Sequence, residues 1–508
     1  MSGSSYKQLK KLQNGSDIRG VAMEGVPGET VNLTREVAEQ LGRSFAIWLR
    51  KNGSGSGKVA VGTDSRISGA ALKAAFVSGL LGEGVDVVDC GLASTPAMFM
   101  ITIHPDHGVG GGVMLTASHL PFNRNGMKFF TAKGGFDRNN VDDLLKIGAQ
   151  KSVVRERERG HLERLDFISE YASSLVDTIR KGVNDPDHFK TPLLGLKIIV
   201  DAGNGAGGFF AGQVLEPLGA DTSGSQFLVP DGRFPNHVPN PEDGEAMTSV
   251  CDAVLNEKAD LGIIFDTDVD RSALVDSEGH AINRNELIAL ISAVVLEEHP
   301  GSVIVTDSIT STGLKWFIEE HLKGKHHRFK RGYRNVINES MRLNSDGTES
   351  WLAIETSGHA ALKENHFLDD GAFLVAKLLI RMAQLNRRGR SLGDLIELLP
   401  RPLESGEFRI KIRATDFSAY GSSVLAQLGK GVEMQEGWFP EEPNYEGIRI
   451  QCRLKAEEGW FLLRNSLHNP ELVLNIESSV QGGADQIRIR LMKLLSPFDE
   501  LDISEMQE

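Results

Sequence analysis

One plan recurs three times along this chain: an uninterrupted apolar strand, a turn rich in glycine or aspartate, and then a helix. Lys58-Val59-Ala60-Val61 runs through Gly62-Thr63-Asp64-Ser65-Arg66 into a helical stretch from Ala70 to Leu81. Leu196-Lys197-Ile198-Ile199-Val200 runs into Asp201-Ala202-Gly203-Asn204-Gly205. Ser302-Val303-Ile304-Val305 leads through Thr306-Asp307-Ser308 to a helix from Gly313 to His321. Strands that are apolar at consecutive positions have no face left for water, which is the pattern of parallel strands covered by helices on both sides. Their alternation with helices restricts the fold to the α/β class.

The pattern changes after Leu399-Pro400-Arg401-Pro402. Strand-like stretches Glu407–Ile412, Gly447–Leu454, Trp460–Leu463 and Leu472–Ile476 follow in succession, and a final helix runs from Ala484 to Leu495. That reads as a separate α+β domain with the prolines at its linker. Upstream, the charge run Arg155-Glu156-Arg157-Glu158-Arg159 marks a solvated boundary. It precedes a helix from about Asp166, in which Phe167, Tyr171, Leu175 and Ile179 share one face. Four domains are expected: 1–162, 163–280 and 281–400 of one mixed α/β kind, and 401–508 of the α+β kind. A chain of 508 residues accommodates them, at about 100–200 residues per domain.

The net charge of -14 argues against nucleic acid or an anionic membrane as a partner, because both require a basic surface. The longest apolar run, Leu287 to Leu296, falls short of the roughly 18 residues of a membrane span. Cys90, Cys251 and Cys452 are far apart and form no C-x-x-C. They read as reduced thiols in a cytoplasmic protein, or a plastid one if a leader has been removed.

Three segments carry chemistry. In the first, the Gly-rich stretch Gly108–Leu115 leads to Thr116-Ala117-Ser118-His119-Leu120-Pro121, then Asn125-Gly126-Met127-Lys128. A serine exposed on such a turn can act as a nucleophile or carry a phosphoryl group, although an ordinary turn has the same look. In the second, the apolar strand Leu261–Phe265 runs into Asp266-Thr267-Asp268-Val269-Asp270-Arg271. In extended backbone, residues at i, i+2 and i+4 face one way, so the three carboxylates can converge on a hard cation such as Mg²⁺. An EF-hand fails: Arg271 stands where that loop needs glycine and Ser277 where it needs glutamate. An arginine directly after the third aspartate suits a phosphate beside the cation. The third segment is Glu355-Thr356-Ser357-Gly358-His359. A rival reading, a dinucleotide-binding oxidoreductase, rests on Gly203-Asn204-Gly205-Ala206-Gly207-Gly208, which satisfies G-x-G-x-x-G. It leaves the other three segments without a purpose.

Together these segments resemble the α-D-phosphohexomutases, the phosphoglucomutase and phosphomannomutase family, from Gly15 to about Leu495. The family patterns are T-A-S-H-N-P with N-G-x-K, D-G-D-G-D-R and G-E-x-S-G-H. Here Leu120, Thr267, Val269 and Ile354 depart from them. The resemblance implies three similar α/β domains and a fourth around a central cleft. It also implies interconversion of hexose 1- and 6-phosphates by a phosphoserine enzyme, through a hexose 1,6-bisphosphate that also serves as activator. Ser118 would carry the phosphoryl group and, with Asp266, Asp268 and Asp270, bind Mg²⁺. Lys128 would transfer a proton, with His119, Arg19 (from Gly15–Gly20, similar to G-x-x-x-R-G), Arg271 and His359 around the reacting atoms. Glu355 and Ser357 would hold sugar hydroxyls. Arg464, Ser466 and His468, where the family has R-x-S-x-T-x-P, would take the other phosphate, with Gly332 and Tyr333 of the basic cluster Arg328–Arg334 lining the site. The segment Asp231–Glu242 also resembles a family loop, with no chemistry assigned. The partner implied is a small phosphosugar, the oligomeric state a monomer or weak homodimer. The departures leave one alternative, a catalytically degenerate homologue that binds sugar phosphates or regulates.

Overall fold

A computed structural model describes residues 5–53, 57–150, 158–432, 434–466 and 469–506. Two compact units result, Met1–Leu287 with Ser357–Asp394, and Ile288–Thr356 with Leu395–Glu508. Most of the charge run expected at a boundary, Arg155–Arg157, lies outside the described residues.

Among the described residues, two sheets lie wholly within the first unit. In the larger, the expected strand Lys58–Thr63 lies between parallel neighbours Asp86–Leu92 and Gly111–Leu115. Gly111–Leu115 then turns back into the antiparallel Arg124–Thr131, which pairs in turn with Asp17–Val21. The buried side of the helix Arg35–Lys51 includes Val37, Leu41, Phe45 and Trp48. Phe45 meets Phe129 of the sheet at 5.0 Å between ring centroids, an aromatic cluster of the kind that dominates core burial.

In the second sheet, Ile198–Asp201 runs parallel to Leu261–Phe265, and Ser272–Asp276 returns antiparallel. Its apolar face is closed by Ala246, Val250 and Val254 of the helix Gly244–Glu257, packed with Ile199, Ile264 and Val275. The helix predicted after the second repeat is a π-helical turn, Phe210–Leu215, followed by a short 3-10 turn containing Pro217. The glycines before it serve packing. A Cβ on Gly205 would lie 2.6 Å from the carbonyl oxygen of Thr267, and one on Gly208 would lie 2.2 Å from that of Leu228. Close packing thus accounts for the G-x-G-x-x-G match: Gly205 lies against the aspartate loop, Gly208 against Leu228 and Gly203 against Pro239.

In the second unit, Val303–Thr306 pairs in parallel with Lys325–Arg328 and with Ser350–Ile354. The predicted helix Gly313–His321 is an α-helical turn, Thr312–Trp316, continued by a π-helical one, Phe317–His321. The expected C-terminal strands pair as an antiparallel sheet, with longer limits for three of them: Glu404–Ile412, Gly459–Asn465 and Glu471–Ser478. Two helices, Phe417–Val432 and Gly483–Leu495, supply Val424, Leu428, Ile487 and Leu491 to its core. The first of them was not expected.

Candidate active site

Both chemistry-bearing loops of the first unit are the connections of antiparallel strand pairs. The serine loop joins Gly111–Leu115 to Arg124–Thr131, and the aspartate loop joins Leu261–Phe265 to Ser272–Asp276. The aspartates do not converge by extended alternation. Phe265 pairs directly with Ser272, so the residues between them must reverse direction. The turn is closed by the Asp266 amide donating to the Arg271 carbonyl at 3.2 Å. Val269 adopts φ +66° within it, a conformation uncommon for any residue but glycine and costly for a β-branched one.

This turn brings one carboxylate oxygen from each of Asp266, Asp268 and Asp270 within 4.8 Å of the others, all in buried side chains. The Oδ1 atoms of Asp268 and Asp270 are buried without a hydrogen-bond partner among the described residues. Three convergent carboxylates with vacant acceptor oxygens are a donor set that fits a hard divalent cation. Lys128 Nζ donates to Asp268 at 2.8 Å and to Asp270. Burial and the charges of Asp270 and Asp268 push the Asp266 carboxyl well above the ordinary range. Burial acts the same way on Asp270, but Lys128 and His359 hold it well below.

Ser118 stands at φ +52°, its amide donating to Thr116 Oγ1 at 2.9 Å. Its hydroxyl donates to Asp266 Oδ2 at 3.0 Å and accepts from Arg271 Nη2 at 3.2 Å. Arg271 is fixed by Asp266 through Nε at 3.1 Å and by Asn240 through Nη1 at 3.0 Å. It also donates to His119 Nδ1 at 2.7 Å. Burial, then the nearby Arg271 and Arg19, push the His119 pKa down to about 2, so the ring is neutral and accepts this bond. Arg19 reaches the Ala117 carbonyl at 3.1 Å from the neighbouring strand. His359 Nδ1 lies 2.6 Å from Asp369 and 3.9 Å from Asp270. Burial opposes its charge, but the two carboxylates outweigh it and raise the pKa to about 9. The first unit therefore gathers Ser118, His119, Lys128, Arg19, Arg271, His359 and the three aspartates. Ser357 is buried in the same unit.

The second unit gathers another set. Glu355 accepts from the Gly332 amide at 2.6 Å. Gly332, at φ +116°, precedes a helix that begins at Tyr333, so the predicted basic loop is a strand end, a turn and a helix start. Thr356 donates to Asp307 Oδ2 at 2.7 Å, and Asp307 Oδ1 has no hydrogen-bond partner among the described residues. Burial and the charge of Glu355 raise Asp307 to about 7. Arg464 sits at the end of Gly459–Asn465, with its Nε buried and without a hydrogen-bond partner among the described residues. Burial and the charge of Arg331 pull its pKa down. Ser466 accepts from the Asn469 amide at 3.2 Å. His468 lies outside the described residues.

Asp64, Arg66, Thr95, Asn240 and Asp369 also belong to the first-unit site and were not singled out from the sequence. Thr95 donates to Asp268, through its amide at 2.8 Å and through its hydroxyl. The signal for Asp64 and Arg66 was their place just after the C-terminal end of a parallel strand, where α/β sheets put their ligand sites.

Three family models match the chain: phosphoglucomutase/phosphomannomutase alpha/beta/alpha domain I at residues 10–152, domain II at 171–279 and domain III at 283–402. With this scaffold and these matches, the molecule is an isomerase of the intramolecular phosphotransferase class. A phosphomannomutase/phosphoglucomutase of Pseudomonas aeruginosa is 30% identical over 95% of this chain and 96% of the relative. A phosphoglucomutase of Neisseria gonorrhoeae is 28% identical over 94% and 95%. The crystal structure of a phosphoglucomutase/phosphomannomutase family protein from Burkholderia thailandensis superposes with a TM-score of 0.78 at 27% identity, covering 96% of this chain and 97% of that one. The chain belongs to the phosphoglucomutase/phosphomannomutase family, the α-D-phosphohexomutases.

Proposed function

We propose that this phosphohexomutase interconverts hexose 1-phosphate and hexose 6-phosphate, with glucose or mannose as the sugar, through a phosphoserine at Ser118 and a hexose 1,6-bisphosphate. The observation that carries the proposal is the position of Ser118 Oγ, within hydrogen-bond reach of both Asp266 and Arg271. Phospho-Ser118 gives its phosphoryl group to the free hydroxyl of the bound monophosphate. The P–Oγ bond breaks, a bond to the sugar oxygen forms, and the hydroxyl proton is taken up through Lys128, which hands one of its own protons to the Asp268–Asp270 carboxylate pair. The bisphosphate turns, its other phosphoryl group returns to Ser118 Oγ, and Lys128 returns the proton to the sugar oxygen released. Added hexose 1,6-bisphosphate would prime unphosphorylated enzyme by the same exchange.

Phosphoryl transfer depends on positive groups around the equatorial oxygens more than on covalent help. Arg271 is held for that task by Asp266 and Asn240, and the protonated His359 adds charge beside Asp270. Mg²⁺ bound by Asp266, Asp268 and Asp270, with Ser118, would neutralise phosphoryl charge. Glu355 and Ser357 hold sugar hydroxyls. Arg464 and Ser466 take the phosphate that is not moving, and the buried Nε of Arg464, without a hydrogen-bond partner among the described residues, supports that assignment. Mass spectrometry of the purified protein is expected to find phosphate on Ser118, with Ser118→Ala inactive. Normal turnover by that variant would disprove the route.

A further inference from the structure

A second set of metal-ligating side chains lies away from the aspartate loop. His104 is the C-cap of the helix Thr95–Ile103, His107 follows three residues later, and Glu170 stands in the first turn of the helix Phe167–Val183. One donor atom from each lies within 4.8 Å of the other two. His107 Nε2 and Glu170 Oε2 are 2.7 Å apart. The imidazoles lie 4.7 Å apart between centroids with their planes tilted by 38°, and Phe167 meets both edge-on at 5.9 and 5.5 Å. All three ligating side chains are half-buried, so an ion can enter from solvent without unfolding.

We propose that His104, His107 and Glu170 form a transition-metal site, for Zn²⁺ or a cation like it. Two imidazoles and one carboxylate are a ligand set found in zinc sites that keep a fourth position for water. Imidazole nitrogen favours Zn²⁺, Co²⁺ and Ni²⁺, whereas Mg²⁺ favours oxygen, so this site and the aspartate triad select different metals. The helix Thr95–Ile103 ends here, and its last carbonyls present the negative end of the helix dipole to the ion. The ion takes the place of the direct contact between His107 Nε2 and Glu170 Oε2, and ties the ends of two helices together. Thr95, at the other end of the first helix, touches Asp268. The clamp therefore holds the helix that buttresses the triad, without contacting the reacting groups.

The test is zinc content after dialysis against Zn²⁺ in the presence of excess Mg²⁺, which saturates the triad. Wild-type protein should retain one zinc per chain, and His104→Ala/His107→Ala should retain none. Glu170→Gln should bind more weakly. Zinc should also raise the thermal unfolding midpoint of the wild type and leave the double variant unmoved. Unfolding in EDTA serves as the control that the variant folds. Zinc retained by the double variant, or none retained by the wild type, overturns the proposal. Neither result touches the phosphoserine mechanism.

Discussion

The guanidinium of Arg66 closes on the carbonyl oxygen of Ser118. Its other donors take the carbonyls of Leu120, Pro121 and Arg124 at 2.6, 2.8 and 3.0 Å. One side chain thus gathers four backbone acceptors of the serine loop, while Asp64 pairs with its Nε at 3.2 Å. The Asp231–Glu242 segment, which had no role in the sequence reading, supports two of the site's arginines, Arg66 and Arg271. Phe234 lies 5.1 Å from the Arg66 guanidinium, and a Cβ on Gly232 would meet the Arg66 Cα at 2.6 Å. Asn240 takes a donor of Arg271.

Arg66→Lys keeps the charge but cannot reach four carbonyls from one ammonium. Ser118 is held in a left-handed conformation, and a loop released from its clamp should relax towards ordinary backbone angles. Misplacing a nucleophile by about 1 Å costs on the order of 10² in rate. The expected outcome is a kcat lowered by about that factor with KM far less affected, measured in steady-state assays of the phosphorylated enzyme. An unchanged kcat would reduce Arg66 to a structural residue.

Val269 sets up a reversal of the usual order of substitutions. It is fully buried at φ +66°, where an L-residue carries a penalty of about 1–2 kcal/mol that glycine avoids. In ordinary helix or strand backbone, alanine is the better replacement by roughly 0.5–1 kcal/mol. Here Val269→Gly should be at least as stable as Val269→Ala, although it removes more of the side chain. Urea unfolding of the two variants decides it. A clearly more stable alanine variant would mean the turn is not strained.

The serine and aspartate loops were legible because each is contiguous and its residue types are dictated by phosphate and cation chemistry. The shape of the aspartate loop was not, since the in-register pairing of Phe265 with Ser272 exists only once two strands meet. Arg66 was hidden for a related reason. Apart from Asp64, its partners are backbone carbonyls, which leave no complementary residue in the sequence to find. The glycines at 205 and 208 look like phosphate-binding glycines because the same freedom from a Cβ admits either a ligand or a neighbouring chain segment. The helix Tyr333–Ser345 was masked by the basic cluster before it, and its start is set by Gly332 at a positive φ.

Glu441 predicts a pH dependence of stability. It receives Arg449 Nε at 2.7 Å, and also Arg328. Burial alone would raise its pKa, but Arg328 and Arg449 outweigh it and lower the value from 4.5 to about 2. A carboxylate held below its ordinary pKa contributes stability that is complete above about pH 4.5 and lost as the pH falls towards 2. Glu441→Gln leaves two buried arginines less compensated, so it should cost on the order of 2 kcal/mol at pH 7, after allowance for solvent screening. The gap to wild type should shrink as unfolding is repeated below pH 4.5. A constant gap would mean that the ion pair contributes nothing.

Arg464 should trade stability against binding. Its side chain is buried with Nε unpartnered among the described residues, and the charge of Arg331 disfavours its protonated form. A buried charge without full pairing costs stability, and apolar replacements of similar length often recover it. Arg464→Met should therefore raise the unfolding midpoint of the ligand-free protein. The same change removes donors to a phosphate, each worth about 1.5–3 kcal/mol when charge-assisted. KM for both the 1-phosphate and the 6-phosphate should rise by roughly ten- to a hundredfold, because one site must accept the idle phosphate of either isomer. Ser118 should still accept phosphate from added bisphosphate, though at higher concentration. If the midpoint falls and KM is unchanged, Arg464 is a structural residue and the idle phosphate binds elsewhere.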